Sequence, residues 1–169
     1  MDQLTDLRCH GVMTRPWDVL TAAATVGSGL LAGVFFAFSA FVMSGLRRLP
    51  DPGGAAAMRS INVTAQRPPL MIALFGVSAL SVAIIVRALA TWSRPGAGWL
   101  LAGAVLTVAG ALGVTAAINV PLNNRLEAGT ITWSRFLAGW DPANHARTIL
   151  CLAGCAVLLI GAIRTTPAT

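Results

Sequence analysis

The chain has 169 residues, of which 56% are hydrophobic and only 11% are charged. Soluble domains carry about 25% charged residues, so the composition excludes a soluble enzyme, a disordered chain and a secreted scaffold held by disulfides. The net charge is +6, and all 12 basic residues are arginines. These arginines lie at the ends of apolar segments, where they meet lipid headgroups. A lipid bilayer is therefore the expected partner, and nucleic acid is not.

Four apolar segments are long enough to be membrane helices. A helix needs about 20 mostly apolar residues to cross about 30 Å of hydrocarbon, and this length recurs at residues 17–43, 70–89, 99–118 and 142–163. The sequence therefore predicts an all-α protein, a four-helix transmembrane bundle. We expect one domain over residues 17–164, with tails at 1–16 and 165–169. The two longer connections, 44–69 and 119–141, are expected to contain short helical or irregular segments.

The start of the chain has two interpretations. Residues 1–12 are polar and carry Asp2 and Asp6 where a signal peptide carries basic residues. Because Met13 makes an equally good start, the segment is either a start placed too early or a short amphipathic tail. The arginines are divided almost evenly between the two membrane faces, which leaves the orientation open. Self-association also stays open, and the expected location is the cytoplasmic membrane of a bacterium.

Polar residues concentrate at one end of the predicted bundle. With four helices, the end of the first, the start of the second, the end of the third and the start of the fourth all lie at one membrane face. These ends carry the unusual amides and cations of the chain, namely Asn62, Arg67, Asn119, Asn123, Asn144, His145 and Arg147. An arginine at a helix centre costs about 2.5–3.5 kcal/mol in a membrane, so such groups tend to face the bundle interior. This face is therefore the predicted site.

The start of the fourth helix predicts an anion-binding mouth. Asp141 is the expected N-cap and Pro142 the expected first helical residue. The free N–H groups of such a first turn, together with Arg147, suit an oxyanion. One stripe of this helix is expected to face a matching stripe of the third helix. The stripe of the fourth helix consists of Asn144, Arg147, Thr148, Cys151 and Cys155, and that of the third helix consists of Thr107, Ala111, Thr115 and Asn119. Two such stripes predict a pocket with a polar mouth and apolar walls.

Structural roles compete with each of these assignments. Helix capping, contact with headgroups, interfacial anchoring and simple packing explain single residues equally well. Capping applies to Asn119 and Asn144, and contact with headgroups applies to Arg67 and Arg147. An interfacial position applies to Trp133, Trp140 and His145, and packing applies to the phenylalanines at 35, 36, 38 and 41. It is the convergence of several polar groups on one face that favours a functional site.

The sequence lacks the patterns of the common cofactor sites. One intramembrane histidine cannot supply a bis-histidine haem site, and no His, Asp or Glu cluster has metal-ligand spacing. No Ser–His–Asp set, P-loop or dinucleotide fingerprint is evident. Cys9, Cys151 and Cys155 show neither CxxC nor zinc spacing. We therefore predict no bound cofactor and no metal.

Four motifs are together typical of one family of small integral membrane proteins. They are Gly33-Val34-Phe35-Phe36-Ala37-Phe38, Ser60-Ile61-Asn62, Asn119-Val120-Pro121-Leu122-Asn123, and Trp140 followed by Asn144-His145-Ala146-Arg147-Thr148. In this order and spacing the chain resembles the DUF1772 family, also called the anthrone oxygenase family. One departure is Arg67-Pro68-Pro69, where Asn-Pro followed by an aromatic residue is expected. Arg67 is therefore not assigned to the site.

The resemblance implies a four-helix membrane fold and an activity. Family members with a known role are oxidoreductases, monooxygenases that convert anthrones to anthraquinones in polyketide pathways. An anthrone loses a C–H proton to give an electron-rich anion, and this anion can pass an electron to O2 directly. Molecular oxygen is then the co-substrate, and the protein must remove the proton, hold the anion and exclude water.

Residue roles follow from this chemistry and from the matching motif positions. The predicted catalytic residues are His145 as base, Arg147 as stabiliser of the anion, and Asn144. The predicted residues for binding a planar lipophilic substrate are Asn62, Asn119, Asn123, Trp140 and Trp133. Two other classes stay open: a non-catalytic membrane partner or scaffold, and a protein that binds or moves a quinone-like molecule.

Overall fold

The described part of the protein is built from helices. The computed structural model describes residues 16–165, and its helices are α1 (Pro16–Leu46), α2 (Asp51–Ala65), α3 (Pro68–Ala90), α4 (Ala97–Glu127) and α5 (Trp133–Thr165). All of these except α2 are long and apolar enough to span a membrane, which confirms the four-helix transmembrane bundle. The predicted tails and the segment 1–12 lie outside the described residues, apart from Pro16 and Thr165 at the helix ends.

The four spanning helices form an up-and-down bundle. Helix α5 packs along both α1 and α4, and α3 completes the ring between α1 and α4. Three apolar layers follow one another along the bundle, from the end that holds the turn between α3 and α4 to the end covered by α2. They are represented by Ala24, Ile84 and Leu158, by Leu31, Phe35 and Leu74, and by Met58, Phe136 and Trp140.

Glycines allow α5 to approach α4 closely. A Cβ atom on Gly103 would lie 2.7 Å from the main-chain nitrogen of Leu158, and one on Gly154 would lie 3.0 Å from the carbonyl oxygen of Gly103. Small residues at such crossings let membrane helices pack through their main chains. This contact fixes α5 against α4 below the polar end of the bundle.

The connection between the third and fourth spanning helices is shorter than the sequence predicted. Helix α4 continues through Pro121 to Glu127, and α5 already begins at Trp133. The prediction that Asp141 caps this helix and Pro142 begins it is therefore wrong, because Pro142 lies inside α5. The helix extends this far because Trp133, Phe136 and Trp140 bury their rings in the apolar layer under α2. Asp141 instead forms an ion pair with Arg47, the residue directly after α1.

Two π-helical segments change the register of the bundle. They are Phe38–Val42 in α1 and Ala109–Asn119 in α4. Because a π-helical turn is wider than an α-helical turn, it rotates the residues after it, and such turns are frequent at functional sites. The predicted stripe on α4 is therefore not one continuous face. Thr107 points to Ser28, with 3.0 Å between the hydroxyl oxygens, whereas Thr115 and Asn119 line a cavity.

Candidate functional site

A cavity of about 480 Å³ lies at the polar end of the bundle, between the two apolar layers nearest α2. Small-molecule sites typically have volumes of about 300–1,000 Å³. Apolar side chains from α1, α3 and α4 form most of the wall, among them Val34, Phe35, Leu70, Leu74 and Leu112. The polar part comes from α2, α4 and α5, and includes Asn62, Thr115, Asn119, Asn123, Asn144 and Arg147. The cavity therefore suits a mostly apolar molecule that carries a few polar groups.

Arg147 brings a positive charge into the cavity wall. Its side chain is 9% exposed, and its guanidinium carbon lies 3.6 Å from the centroid of the Phe35 ring. Nε is buried without a hydrogen-bond partner, and within residues 16–165 no carboxylate pairs with the guanidinium. A cation–π contact contributes about 0.5–2 kcal/mol, which is less than the several kcal/mol that burying an ion costs. The alternative that the Arg147 side chain contacts lipid headgroups is therefore wrong. Its buried charge suits an anionic or carbonyl oxygen of a ligand.

Unpartnered amide and hydroxyl atoms surround the same cavity. They are Asn62 Nδ2, Thr115 Oγ1, both amide atoms of Asn119, and Asn144 Oδ1. A buried polar atom left without a hydrogen bond costs about 1–3 kcal/mol, and such atoms are rare. Asn119 makes no capping hydrogen bond and Asn144 lies inside α5, so the capping alternative is wrong for both. The concentration of free donors and acceptors at one cavity indicates a ligand with polar groups.

Asn144 is tied to α1 by both of its amide hydrogens. Its Nδ2 donates to the carbonyl oxygen of Phe35 at 2.8 Å and to Ser39 Oγ at 2.9 Å. Since these two bonds use both hydrogens of the amide nitrogen, the remaining capacity of the side chain is that of an acceptor at Oδ1.

Trp140 provides a flat wall at the α2 end of the cavity. It is 4% exposed, its ring centroid lies 5.7 Å from that of Phe38, and its Nε1 donates to Asn123 Oδ1 at 3.0 Å. A buried ring in this position is not an interfacial anchor. The hydrogen bond to Asn123 fixes the indole, so a planar aromatic ligand would meet a rigid partner.

Two of the predicted site residues lie away from the cavity. His145 is exposed, and its Nδ1 lies 2.8 Å from Ser39 Oγ, so it reaches the cavity only through Ser39 and Asn144. The geometry therefore does not support His145 as a base in contact with a substrate. Trp133 is 6% exposed and stacks on Phe136 with 5.4 Å between the ring centroids. It belongs to the apolar layer under α2 and does not line the cavity, and a ring this deeply buried is not an interfacial anchor.

Sequence reasoning missed Ser39, Phe35 and Phe38. The phenylalanines were interpreted as packing residues, but both line the cavity. Ser39 is one of five Ser and Thr residues in α1, and no motif distinguishes it. Its position depends on the π-helical segment Phe38–Val42, which the sequence does not reveal.

The described residues hold no ready metal site. Within residues 16–165, no three His, Cys, Asp or Glu side chains come close enough together to ligate a metal ion. The charge of this site thus comes from Arg147 among the lining residues, and the rest of its polarity from amides and hydroxyls.

Comparison with known proteins identifies the family. Residues 58–157, more than half of the chain, match the family model described as anthrone oxygenase. The matched segment contains the cavity residues of α2, α3, α4 and α5 from Met58 onward and ends before the last residues of α5. No match was found among curated proteins or among solved structures.

Proposed function

The chain belongs to the anthrone oxygenase family, and from this premise we propose that it is a membrane-embedded oxygenase that oxidises a planar, lipophilic, anthrone-like polyketide with O2. The observation that carries the proposal is the buried guanidinium of Arg147, which pairs with no carboxylate of residues 16–165, in the wall of a mostly apolar cavity. Buried charges in proteins are normally paired, and the anion of an anthrone supplies the missing negative charge.

Arg147 would act on the acidity of the bound substrate. Loss of a proton from the central CH2 carbon of an anthrone leaves a negative charge that is shared with the ketone oxygen. A positive group held in a low-dielectric site stabilises such a charge far more than water-exposed groups do. Arg147 therefore favours the anion, and the amides of Asn62 and Asn119, which have unpartnered atoms, orient the oxygen atoms of the substrate.

The oxidation consumes one O2 for each anthrone. The anion passes one electron to O2, and the resulting radical and superoxide combine to form a carbon–oxygen bond at the former CH2 carbon. The remaining C–H proton then leaves while the O–O bond breaks, which creates the second ketone. One anthrone and one O2 give one anthraquinone and one water. We propose that no bound cofactor takes part, because the substrate anion is itself the electron donor.

The proton acceptor has to be sought outside the cavity wall. Among the residues that the structure describes, no histidine and no carboxylate lines the cavity, so we propose that the proton passes to water at the cavity mouth, beside the exposed Gln66 and Asn124. His145, connected through Ser39 and Asn144, stays a predicted second acceptor. The exposed apolar side chains Phe75 and Val120 at the rim suit entry of a lipophilic substrate from the bilayer.

The test is an oxygen-uptake experiment with the purified protein in detergent. The protein is given a simple anthrone under isotopically labelled O2, and empty micelles measure spontaneous oxidation. We expect uptake above the blank, equal amounts of O2 consumed and anthraquinone formed, and label in the new ketone. Arg147→Met should fold and lose the added rate, by about 100-fold or more. Unlabelled product, or a rate no faster than that of empty micelles, would contradict an oxygenase.

One observation favours a second candidate function. Because no side chain that lines the cavity in the described part of the chain is a usual proton acceptor, the same site also fits a protein that binds a quinone-like molecule without reacting. That candidate predicts tight binding of an anthraquinone with no oxygen uptake from an anthrone.

A further inference from the structure

A chain of side-chain hydrogen bonds runs from the exposed surface of α5 to the cavity. It begins at His145 Nδ1, passes through Ser39 Oγ, and reaches Nδ2 of Asn144, a cavity residue. We propose that Ser39 is a positioning residue that fixes Asn144 as a hydrogen-bond acceptor, so that the cavity selects ligands with a hydroxyl donor. This inference rests on the proposed function only in taking the cavity as the ligand site.

The orientation of the Asn144 amide follows from counting hydrogens. An amide nitrogen has two, and both are used, one by the carbonyl oxygen of Phe35 at 2.8 Å and one by Ser39 Oγ at 2.9 Å. Reversing the amide would place its oxygen against the Phe35 carbonyl oxygen, which offers no hydrogen. Oδ1 therefore stays on the other side, where it is buried and unpartnered. Asn144 is 1% exposed, so water compensates little for the missing bond.

The hydroxyl hydrogen of Ser39 has one good acceptor, His145 Nδ1. Because Ser39 Oγ accepts from Asn144, its own hydrogen must be donated elsewhere. His145 Nδ1 lies at 2.8 Å, whereas Thr148 Oγ1 lies at 3.5 Å and already donates to the carbonyl oxygen of Asn144 at 2.9 Å. A neutral His145 that accepts at Nδ1 thus completes the chain. Every donor of this chain then points in one direction, and the free acceptor is left at Asn144.

The π-helical segment Phe38–Val42 places Ser39 for this task. Phe35 and Ser39 belong to the same part of α1, so the carbonyl oxygen of one and the hydroxyl of the other can hold a single amide from two sides. Ser39 is half-buried and does not line the cavity. It acts on the ligand only through Asn144.

The fixed acceptor lies near a fixed donor. Asn144 and Arg147 are three residues apart on α5 and line the same cavity, and the free atom of Arg147 is the donor Nε. Groups three residues apart lie on one helix face. A ligand that pairs with both groups accepts a hydrogen bond from Arg147 Nε with one oxygen atom and donates a hydroxyl hydrogen to Asn144 Oδ1. The predicted ligand class is therefore a planar ketone that also carries a phenolic hydroxyl group.

The test compares two ligands that differ only in the donor. One is an anthraquinone with a single hydroxyl group on its outer edge, where no ring carbonyl takes up the hydroxyl proton; the other is its methoxy counterpart. Affinities are measured by titration calorimetry in lipid nanodiscs, with empty nanodiscs as the blank. Since a hydrogen bond to a buried acceptor that is otherwise unpaired contributes about 1–1.4 kcal/mol, the wild type should prefer the hydroxyl compound by about fivefold to tenfold.

The variants isolate the hydroxyl of Ser39. Ser39→Thr keeps the hydroxyl and should keep the preference for the hydroxyl compound. Ser39→Val, which has the shape of the threonine variant but no hydroxyl, should reduce the preference to less than about twofold, and so should Ser39→Ala. Ser81→Ala removes a hydroxyl that is buried away from the cavity and should leave the preference unchanged.

Two results would overturn the inference in different ways. If the wild type binds both compounds equally, or if Ser39→Val keeps the full preference, Ser39 does not position the acceptor, but the cavity is still a ligand site. If the wild type binds neither compound, the proposed function fails and this inference fails with it.

Discussion

Replacement of Arg147 by methionine separates a ligand-binding guanidinium from a structural one. The empty protein should become more stable, because the change removes a charge that is buried and only partly compensated. Burying an arginine at a helix centre in a membrane costs about 2.5–3.5 kcal/mol. Loss of the contact with the Phe35 ring offsets about 0.5–2 kcal/mol of this gain, and methionine refills the space. We therefore expect the free energy of unfolding to rise by about 1–2 kcal/mol.

The assay is equilibrium unfolding in mixed micelles, followed by tryptophan fluorescence, together with ligand affinity. Arg147→Met should be more stable than wild type and bind a quinone ligand at least about tenfold more weakly. Arg147→Lys keeps the charge but not the planar donor set, so its affinity should lie between the two. Arg47→Met is the control, because Arg47 is an arginine with an ion-pair partner. Its replacement leaves the carboxylate of Asp141, which is 7% exposed, without that partner. That variant should lose about 1 kcal/mol of stability.

A loss of stability in Arg147→Met would contradict a ligand-binding role for the guanidinium. If Arg147→Met unfolds or loses more than about 2 kcal/mol of stability, the guanidinium holds the helices together, and its missing carboxylate says nothing about a ligand.

Three further substitutions follow from the same geometry. Asn119→Leu removes two unpartnered amide atoms. Chemical unfolding of the ligand-free protein should therefore show a free energy of unfolding about 1 kcal/mol higher than that of the wild type, while ligand affinity falls. Ala116→Trp places a large ring in the cavity that Ala116 lines; calorimetry should show no ligand binding and thermal unfolding little change. Gly154→Ala puts a Cβ 3.0 Å from the Gly103 carbonyl oxygen, so stability should fall by about 1–3 kcal/mol, and unchanged stability would contradict the close crossing of α4 and α5.

Much of the fold was predictable because hydrophobic length is a strong signal. Four apolar segments of the right length gave the four spanning helices, and an even helix number gave the face at which polar residues meet. Six of the predicted site residues line one cavity, namely Asn62, Asn119, Asn123, Trp140, Asn144 and Arg147. The topological argument succeeded there because it needed only the order of helix ends, and not their exact rotation.

The remaining details depend on backbone features that the sequence does not encode locally. The pair Asp141-Pro142 has the pattern of a helix start, but aromatic packing before it extends α5 back to Trp133. This extension places Trp133 in the apolar layer under α2. The π-helical segments likewise alter the faces of α1 and α4, which is why Ser39 was missed at the site.

The measurement that tests the central claim most directly is photolabelling of the cavity by an anthraquinone. An anthraquinone excited by ultraviolet light abstracts hydrogen from the nearest C–H groups, and mass spectrometry then locates the adduct. The account predicts adducts on cavity side chains such as Val34, Met58 and Leu74, with labelling abolished in Ala116→Trp. Adducts confined to lipid-facing residues such as Val26, Val86 and Leu152, equally strong in both proteins, would contradict a ligand site in this cavity.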